Sequence, residues 1–331
     1  MSLTRVYRVD RDPIDEVVER CCDILRGGGT VVFPTETVYG VGARVDSVRA
    51  IEALLHAKNR GLEPLTIHIS SLRQLDALGI DLGPEGERLA RRFWPGPLTI
   101  VVPLTNGMLR HASGLTPFIG VRMPAHPIAL KLIDCAGPLV APSANVSGRP
   151  SPVRGWDAII EMFGRVDAII DAGDCVEGLE STVVQLSPGT PRILRLGPID
   201  PRDLEQTLGR PISMSSLPVQ RRRYKPHLRV VLSYVGALNA VDMLRGRAPE
   251  PMCIAVLSED LERGLELPKN VIALKLGSLA EPLTIARNLF KLLRKAEGLG
   301  CATLIVPSLP EQGILAAVMS RLRASADEIL H

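Results

Sequence analysis

Thr30-Val31-Val32-Phe33-Pro34-Thr35-Glu36-Thr37-Val38-Tyr39-Gly40 is the stretch from which the fold is read. Val31, Val32 and Phe33 read as the buried end of a strand. Pro34 stops the ladder because it has no N–H to give. Two threonine hydroxyls, a carboxylate and a phenol then follow within five positions, in a polar turn with nothing apolar to hide. Taken alone, the run suits an ordinary strand-to-loop exit. It equally suits a ligand loop, because strand ends are where a rigid scaffold presents polar groups.

Working outward, Asp12-Pro13 opens an amphipathic helix from Ile14 to about Leu25, with Ile14, Val17, Val18, Cys21 and Leu25 on one face. Gly27-Gly28-Gly29 ends it. No G-x-x-x-x-G-K-[ST] follows and no helix starts there, so the triplet is a C-cap and turn rather than a phosphate loop. Downstream, helices are expected over 47–57 (capped by Ser47), 71–78, 85–93, 128–135 and 157–163. Strands are expected over 65–69, 98–103, 119–121, 139–141, 168–170, 181–186 and 192–196. Strands and helices mix without strict βαβ repetition, which favours an α/β domain on a twisted, mixed sheet.

The length of 331 residues suits about two domains. From Gly209 to Pro226 the composition turns to that of a linker, with Pro211, Pro218, Pro226, three serines and the basic run Arg221-Arg222-Arg223-Tyr224-Lys225. Strands then alternate with helices: strands 229–233, 253–257, 271–275 and 302–306, helices 235–245, 283–296 and 313–329. That pattern predicts a smaller, doubly wound parallel sheet of Rossmann-like type lacking G-x-G-x-x-G. The expected organisation is a catalytic domain over 1–208, a linker or lid over 209–228 and a C-terminal domain over 229–331.

With 46% apolar and 23% charged residues of mixed sign, the chain reads as a soluble globular protein. A net charge of +3 is too small for a nucleic-acid coat or a membrane-surface protein. Aromatic residues are only 3%, which weighs against a base-stacking RNA platform. The six cysteines are scattered without a C-x-x-C pair, Cys21 and Cys22 reading as buried small hydrophobes; no disulfide framework and a reducing compartment are expected. The six histidines lack metal-ligand spacing, so no protein-held metal is expected. The N-terminus has no apolar signal region and no stretch spans a bilayer, which makes the cytoplasm the expected location.

Cations and hydroxyls recur at element ends. Lys58-Asn59-Arg60 follows the helix over 47–57; two cations one residue apart suit a polyphosphate, and equally suit a helix C-terminus. Phe93-Trp94-Pro95-Gly96-Pro97-Leu98-Thr99 reads as a rigid corner with a packed Trp. Arg122, set among Ile119, Val121 and Met123, needs a carboxylate or phosphate partner, from ligand or protein. Ala141-Pro142-Ser143-Ala144-Asn145-Val146-Ser147-Gly148-Arg149 packs hydroxyls, an amide and backbone N–H groups into one loop able to bind an anion. Glu180-Ser181-Thr182 begins another strand, with Arg195 shortly after. No Ser-His-Asp order or reactive-cysteine context competes.

PTETVYG, K-x-R, FWPGPLT, GVRMP, APSANVSG, GLESTVV and ILRLG, in that order, resemble the YrdC-type threonylcarbamoyl-adenylate synthases. Arg223-Tyr224-Lys225-Pro226 and the closing LIVPSLPEQGILAAVMSRLRAS resemble the family's longer, two-domain branch. The resemblance implies a twisted, open sheet around a deep basic cavity. It implies condensation of L-threonine, bicarbonate and ATP to threonylcarbamoyl-AMP and pyrophosphate. The product would pass to a threonylcarbamoyl transferase for N6-threonylcarbamoyladenosine in ANN-decoding tRNAs; direct tRNA binding stays open. By motif position, threonine would meet Thr35, His68, Arg122, Ser143 and Ser181. ATP would meet Lys58, Arg60, Asn145, Arg195 and, from a lid-like linker, Tyr224, with Mg2+ on the ATP phosphates rather than in a protein cage.

The chain departs from the family pattern mostly on the ATP side. It reads Lys58-Asn59-Arg60-Gly61-Leu62-Glu63-Pro64-Leu65 where K-x-R-P-x-x-N-P-L is usual, with Phe118 and Val153 at two threonine positions, Arg223 for histidine and Leu196 for proline. Two rivals share the fold: a non-catalytic RNA-binding module, and a carbamoyl transferase using carbamoyl phosphate. The modest charge counts against the first and the lack of acylphosphatase or zinc-finger segments against the second.

Overall fold

The computed structural model describes residues 3–186, 189–214, 224–264 and 266–331. The chain divides into two units. The first takes Met1–Ser147, Ser151–Val176 and Glu180–Leu217; the second takes Gly148–Pro150, Glu177–Leu179 and Pro218–His331. Arg221, Arg222 and Arg223 of the basic run lie outside the described residues.

In the first unit the strands are β1 (Arg5–Arg8), β2 (Val31–Phe33), β3 (Gly40–Arg44), β4 (Thr66–His68), β5 (Leu98–Pro103), β6 (Phe118–Arg122), β7 (Leu139–Val140), β8 (Ala168–Asp171), β9 (Thr182–Gln185), β10 (Arg192–Arg195) and β11 (Ser213–Met214). The helices are α1 (Ile14–Arg26), α2 (Val48–Ala57), α3 (Arg73–Leu78), α4 (Gly83–Phe93), α5 (Pro127–Ala136), α6 (Gly155–Met162) and α7 (Pro201–Leu208). The strands form one mixed sheet in the order β1-β8-β2-β3-β7-β4-β6-β5-β9-β10-β11.

Helix α1 lays Val17, Val18, Cys21, Cys22 and Leu25 on β2 and β8 and against Ile128, Leu132 and Ile133 of α5. Ile14, expected on that face, is 42% exposed and Cys22 takes the buried place. The expectation of no disulfides is corrected: Cys22 is bonded to Cys135 of α5, and Cys253 to Cys301 in the second unit. The partners are 113 and 48 positions apart, and only folding brings their Cα atoms to 6.1 and 5.9 Å. Cys21 stays a free thiol, pushed up to about 12 by burial.

Strand β3, with two glycines in five residues, is the element the sequence pattern hides. It pairs antiparallel with β2, Val31 opposite Gly42 and Phe33 opposite Gly40. A Cβ on Gly42 would lie 2.7 Å from the Phe33 ring, so the wholly buried ring needs the missing side chain. Edge strands β1 and β11 and helix α7 were also without a clear periodic signal; α7 is capped by Asp200, which accepts from the N–H of Arg202.

The second unit carries β12 (Arg229–Ser233), β13 (Met252–Leu257), β14 (Val271–Gly277), β15 (Thr303–Pro307) and β16 (Glu328–Leu330), all parallel, in the order β14-β13-β15-β12-β16. Helices α8 (Ala237–Leu244), α9 (Ser258–Glu262), α10 (Pro282–Gly298) and α11 (Ile314–Ser325) connect them. Val231, Ile254, Val256 and Ile305 of the sheet pack under Val241 and Leu244 of α8. The last helix ends at Ser325 instead of running to 329, and β16 closes the sheet edge. Among the described residues no helix is long and apolar enough to cross a membrane.

Candidate active site

The loop between β2 and β3 is buried: Thr35 and Thr37 are 2% and 0% exposed. Thr35 Oγ1 donates to the carbonyl of Val38 (2.6 Å) and accepts from the N–H groups of Thr37 and Val38 (3.2 Å each). The Tyr39 hydroxyl donates to Gly173 O and accepts from Ala172 N–H, and burial pushes the phenol's pKa up. The turn thus satisfies much of its own polarity, which lets it sit in the interior rather than at the surface.

Helix α2 starts at Ser47, whose hydroxyl accepts from Ala50 N–H, and delivers Lys58 at its C-terminal cap. Lys58 is 2% exposed and donates to the carbonyls of Ser143 and, at 2.6 Å, Asn145. Burial pushes its ammonium down to about 7, with Arg60 acting in the same direction. Lys58 therefore serves the loop after β7, not merely the dipole of its own helix. Asn59, at φ 49, turns the chain, and Arg60 Nη2 lies 2.9 Å from Glu63 Oε2 and 3.2 Å from Pro64 O. The loop is tied further by Ser147 N–H to Lys58 O and by Val146 N–H to Glu161 Oε2.

His68 and Arg122 end neighbouring parallel strands in direct register, both buried. Burial, then the Arg122 charge, pushes the His68 imidazole down to about 3, so the ring is neutral near pH 7. Arg122 Nε donates to Gly96 O at 3.3 Å, and Nη2 stands 2.7 Å from Glu36 Oε1. The carboxylate that Arg122 needs is thus supplied by the protein, as an ion pair. Strands β2 and β6 run in opposite directions four places apart in the sheet, about 19 Å if it were flat. The loop after β2 and the two long side chains together close that span to one ion pair.

Ser181 and Arg195 form the remaining cluster. Ser181 Oγ lies 2.8 Å from Thr99 Oγ1 and accepts from Arg195 Nη2 at 3.0 Å, while Arg195 Nε donates to the Ser181 carbonyl at 3.0 Å. Gly197 permits the approach, since a Cβ there would lie 2.2 Å from Thr182 N and 2.6 Å from Ser181 C.

The structure places Lys58 with Ser143 and Asn145, His68 with Arg122, and Ser181 with Arg195. The Gly40–Ser143 bridge joins the first group to the loop bearing Thr35, and Glu36 joins that loop to Arg122. Arg122 in turn meets the turn leading to Thr99, which meets Ser181. Tyr224 belongs to the second unit, its ring centroid 5.3 Å from that of Phe290 and the Arg321 guanidinium 5.9 Å above it. Sequence reasoning assigned no role to Glu36, Thr99 or Glu161. The signal for Glu36 was a carboxylate between two threonines just past a buried strand. Among the described residues no group of three His, Cys, Asp or Glu side chains is placed to hold a metal ion.

Fold and site together define a two-unit α/β protein whose first unit gathers cations and hydroxyls suited to an anionic ligand. The Sua5/YciO/YrdC family model, described as "Telomere recombination", matches residues 23–197, and one described as "Threonylcarbamoyl-AMP synthase, C-terminal domain" matches 213–327. The threonylcarbamoyl-AMP synthase of Pyrococcus abyssi is 35% identical, with 96% of each chain covered, and that of Bacillus subtilis 31% identical, with 94% and 93% covered. A crystal structure of P. abyssi Sua5 complexed with L-threonine superposes at a TM-score of 0.85, with 34% identity and 99% of each chain covered. The chain belongs to the two-domain threonylcarbamoyl-AMP synthase family.

Proposed function

We propose that this protein condenses L-threonine, bicarbonate and ATP to threonylcarbamoyl-AMP and pyrophosphate. The observation that carries the reading is the series of contacts at Lys58, at the Glu36–Arg122 pair and at Ser181 with Arg195, joined by the short chain segments 36–40 and 96–99, in a chain of this family. Thr35, His68, Arg122, Ser143 and Ser181 are assigned to threonine. Lys58, Arg60, Asn145, Arg195 and Tyr224 are assigned to ATP. The product would be handed to a threonylcarbamoyl transferase that modifies ANN-decoding tRNAs, in the cytoplasm.

The chemistry asks for positioning more than for a nucleophile. The threonine amine adds to CO2 derived from bicarbonate, the proton it sheds and the bicarbonate hydroxyl leaving as water, and the carbamate oxygen attacks the α-phosphorus of ATP. The bond from that phosphorus to the bridging oxygen of pyrophosphate breaks. Carbamate and triphosphate are both anionic, so the site must offset their repulsion and hold them in line. A guanidinium at Arg122 suits the threonine carboxylate. Lys58, Arg60 and Arg195 suit charge at phosphorus and on leaving pyrophosphate. Mg2+ would arrive on the triphosphate, where it neutralises phosphate oxygens.

The test is pyrophosphate release from ATP that requires both threonine and bicarbonate. Release no greater than that of an Arg60→Ala, Arg195→Ala control would overturn the proposal.

A further inference from the structure

Glu36 is 7% exposed, yet its two carboxylate oxygens are unequally provided for. Oε1 faces Arg122 Nη2 at 2.7 Å, an ion pair without the alignment of a hydrogen bond. Oε2 is buried and has no hydrogen-bond donor among the described residues. A buried carboxylate oxygen without a donor is costly, and native structures keep few of them. Arg122 is likewise half committed: Nε and Nη2 face Gly96 O and Glu36, while Nη1 has no hydrogen-bond partner among the described residues. Side by side, the pair keeps carboxylate oxygens and guanidinium N–H groups without hydrogen-bond partners among the described residues. That complements a zwitterion, with the ligand's carboxylate on Arg122 and its ammonium on Glu36.

Resting on the function proposed above, we infer that Glu36 binds the α-ammonium of the amino-acid substrate. The cost of burying its second oxygen is then offset when the ligand is present. The proton that the nitrogen must shed before carboxylation has an acceptor beside it. Ammonium plus carboxylate becomes amine plus carboxylic acid, with no change in net charge. His126 lies within electrostatic reach of Glu36, but burial lowers its pKa and makes it the poorer charge partner.

The experiment is calorimetric binding, without ATP, of L-threonine and of 3-hydroxybutanoate, which keeps the carboxylate and hydroxyl but lacks the amino group. Wild-type protein is expected to prefer threonine by about tenfold or more, the scale of a charge-assisted hydrogen bond. Glu36→Gln should remove most of that preference by weakening threonine alone, and Glu36→Asp should keep part of it. If Glu36→Gln weakens both ligands equally, Glu36 only orients Arg122 and the inference fails. Unchanged threonine affinity also overturns it. Should Glu36→Gln not fold, the absence of a preference in the wild type overturns it instead. If wild-type protein binds neither ligand, the proposed function itself falls.

Discussion

The ammonium of Lys58 lies 2.6 Å from the carbonyl oxygen of Asn145, inside a site that burial has made hostile to charge. With its pKa pushed down to about 7, Lys58 is largely neutral at pH 8 in the free protein and charged at pH 6. A triphosphate favours the ammonium form and raises that pKa on binding. ATP binding at pH 8 should therefore take up close to one proton from buffer, and binding at pH 6 almost none. Calorimetry in two buffers of different ionisation enthalpy measures the uptake directly. Lys58→Met should abolish it; equal uptake in that variant would assign the proton elsewhere.

His68 gives a stability prediction of definite sign. Its folded pKa of about 3 lies below the ordinary value of 6.5, so the unfolded chain binds the extra proton between those limits. Its contribution is fully present above pH 6.5 and is lost as pH falls towards 3. Urea unfolding from pH 7 to pH 4 should show a shallower loss of stability in His68→Gln than in wild type. A parallel pair of curves would remove His68 from the acid response.

Gly197 should not tolerate a methyl group. The added Cβ would meet main-chain atoms of Ser181 and Thr182, which cannot rotate away as a flexible side chain can. Gly197→Ala should cost about 1–3 kcal/mol, the usual range for overpacking, and lower the melting temperature. Because Arg195 is two residues away, ATP affinity should fall as well. A variant as stable and as active as wild type would show that β10 can move aside.

These outcomes mark where sequence was informative. The amphipathic face of α1 and the strand over 98–103 were legible because apolar periodicity reports burial directly. Strand β3 was not, because its Gly42 admits the Phe33 ring, a partner seen only after pairing. The cation positions at Lys58, Arg122 and Arg195 could be read from the motifs they sit in. The partnership of Arg122 with Glu36 could not, because it joins the loop after β2 to the end of β6, strands that only the sheet order relates. The disulfide between Cys22 and Cys135 was hidden for the same reason, being a contact between α1 and α5 rather than a spacing.

Ser181 separates the two halves of the site. Its hydroxyl lies 2.8 Å from that of Thr99 and accepts from Arg195, but its carbonyl also accepts from Arg195 Nε. Ser181→Ala deletes the hydroxyl and leaves the carbonyl, so Arg195 keeps one of these two anchors. Threonine binding should then weaken about tenfold, the scale of a lost hydrogen bond in a desolvated site, while the KM for ATP changes by less than about threefold. Arg195→Ala should show the reverse split, a large rise in the ATP KM with a smaller effect on threonine. Initial-rate kinetics with each substrate varied in turn resolve the two patterns. Matching losses for both substrates in both variants would mean that Ser181 and Arg195 act as a single unit, and the division of the site into threonine and nucleotide sides would have to be abandoned.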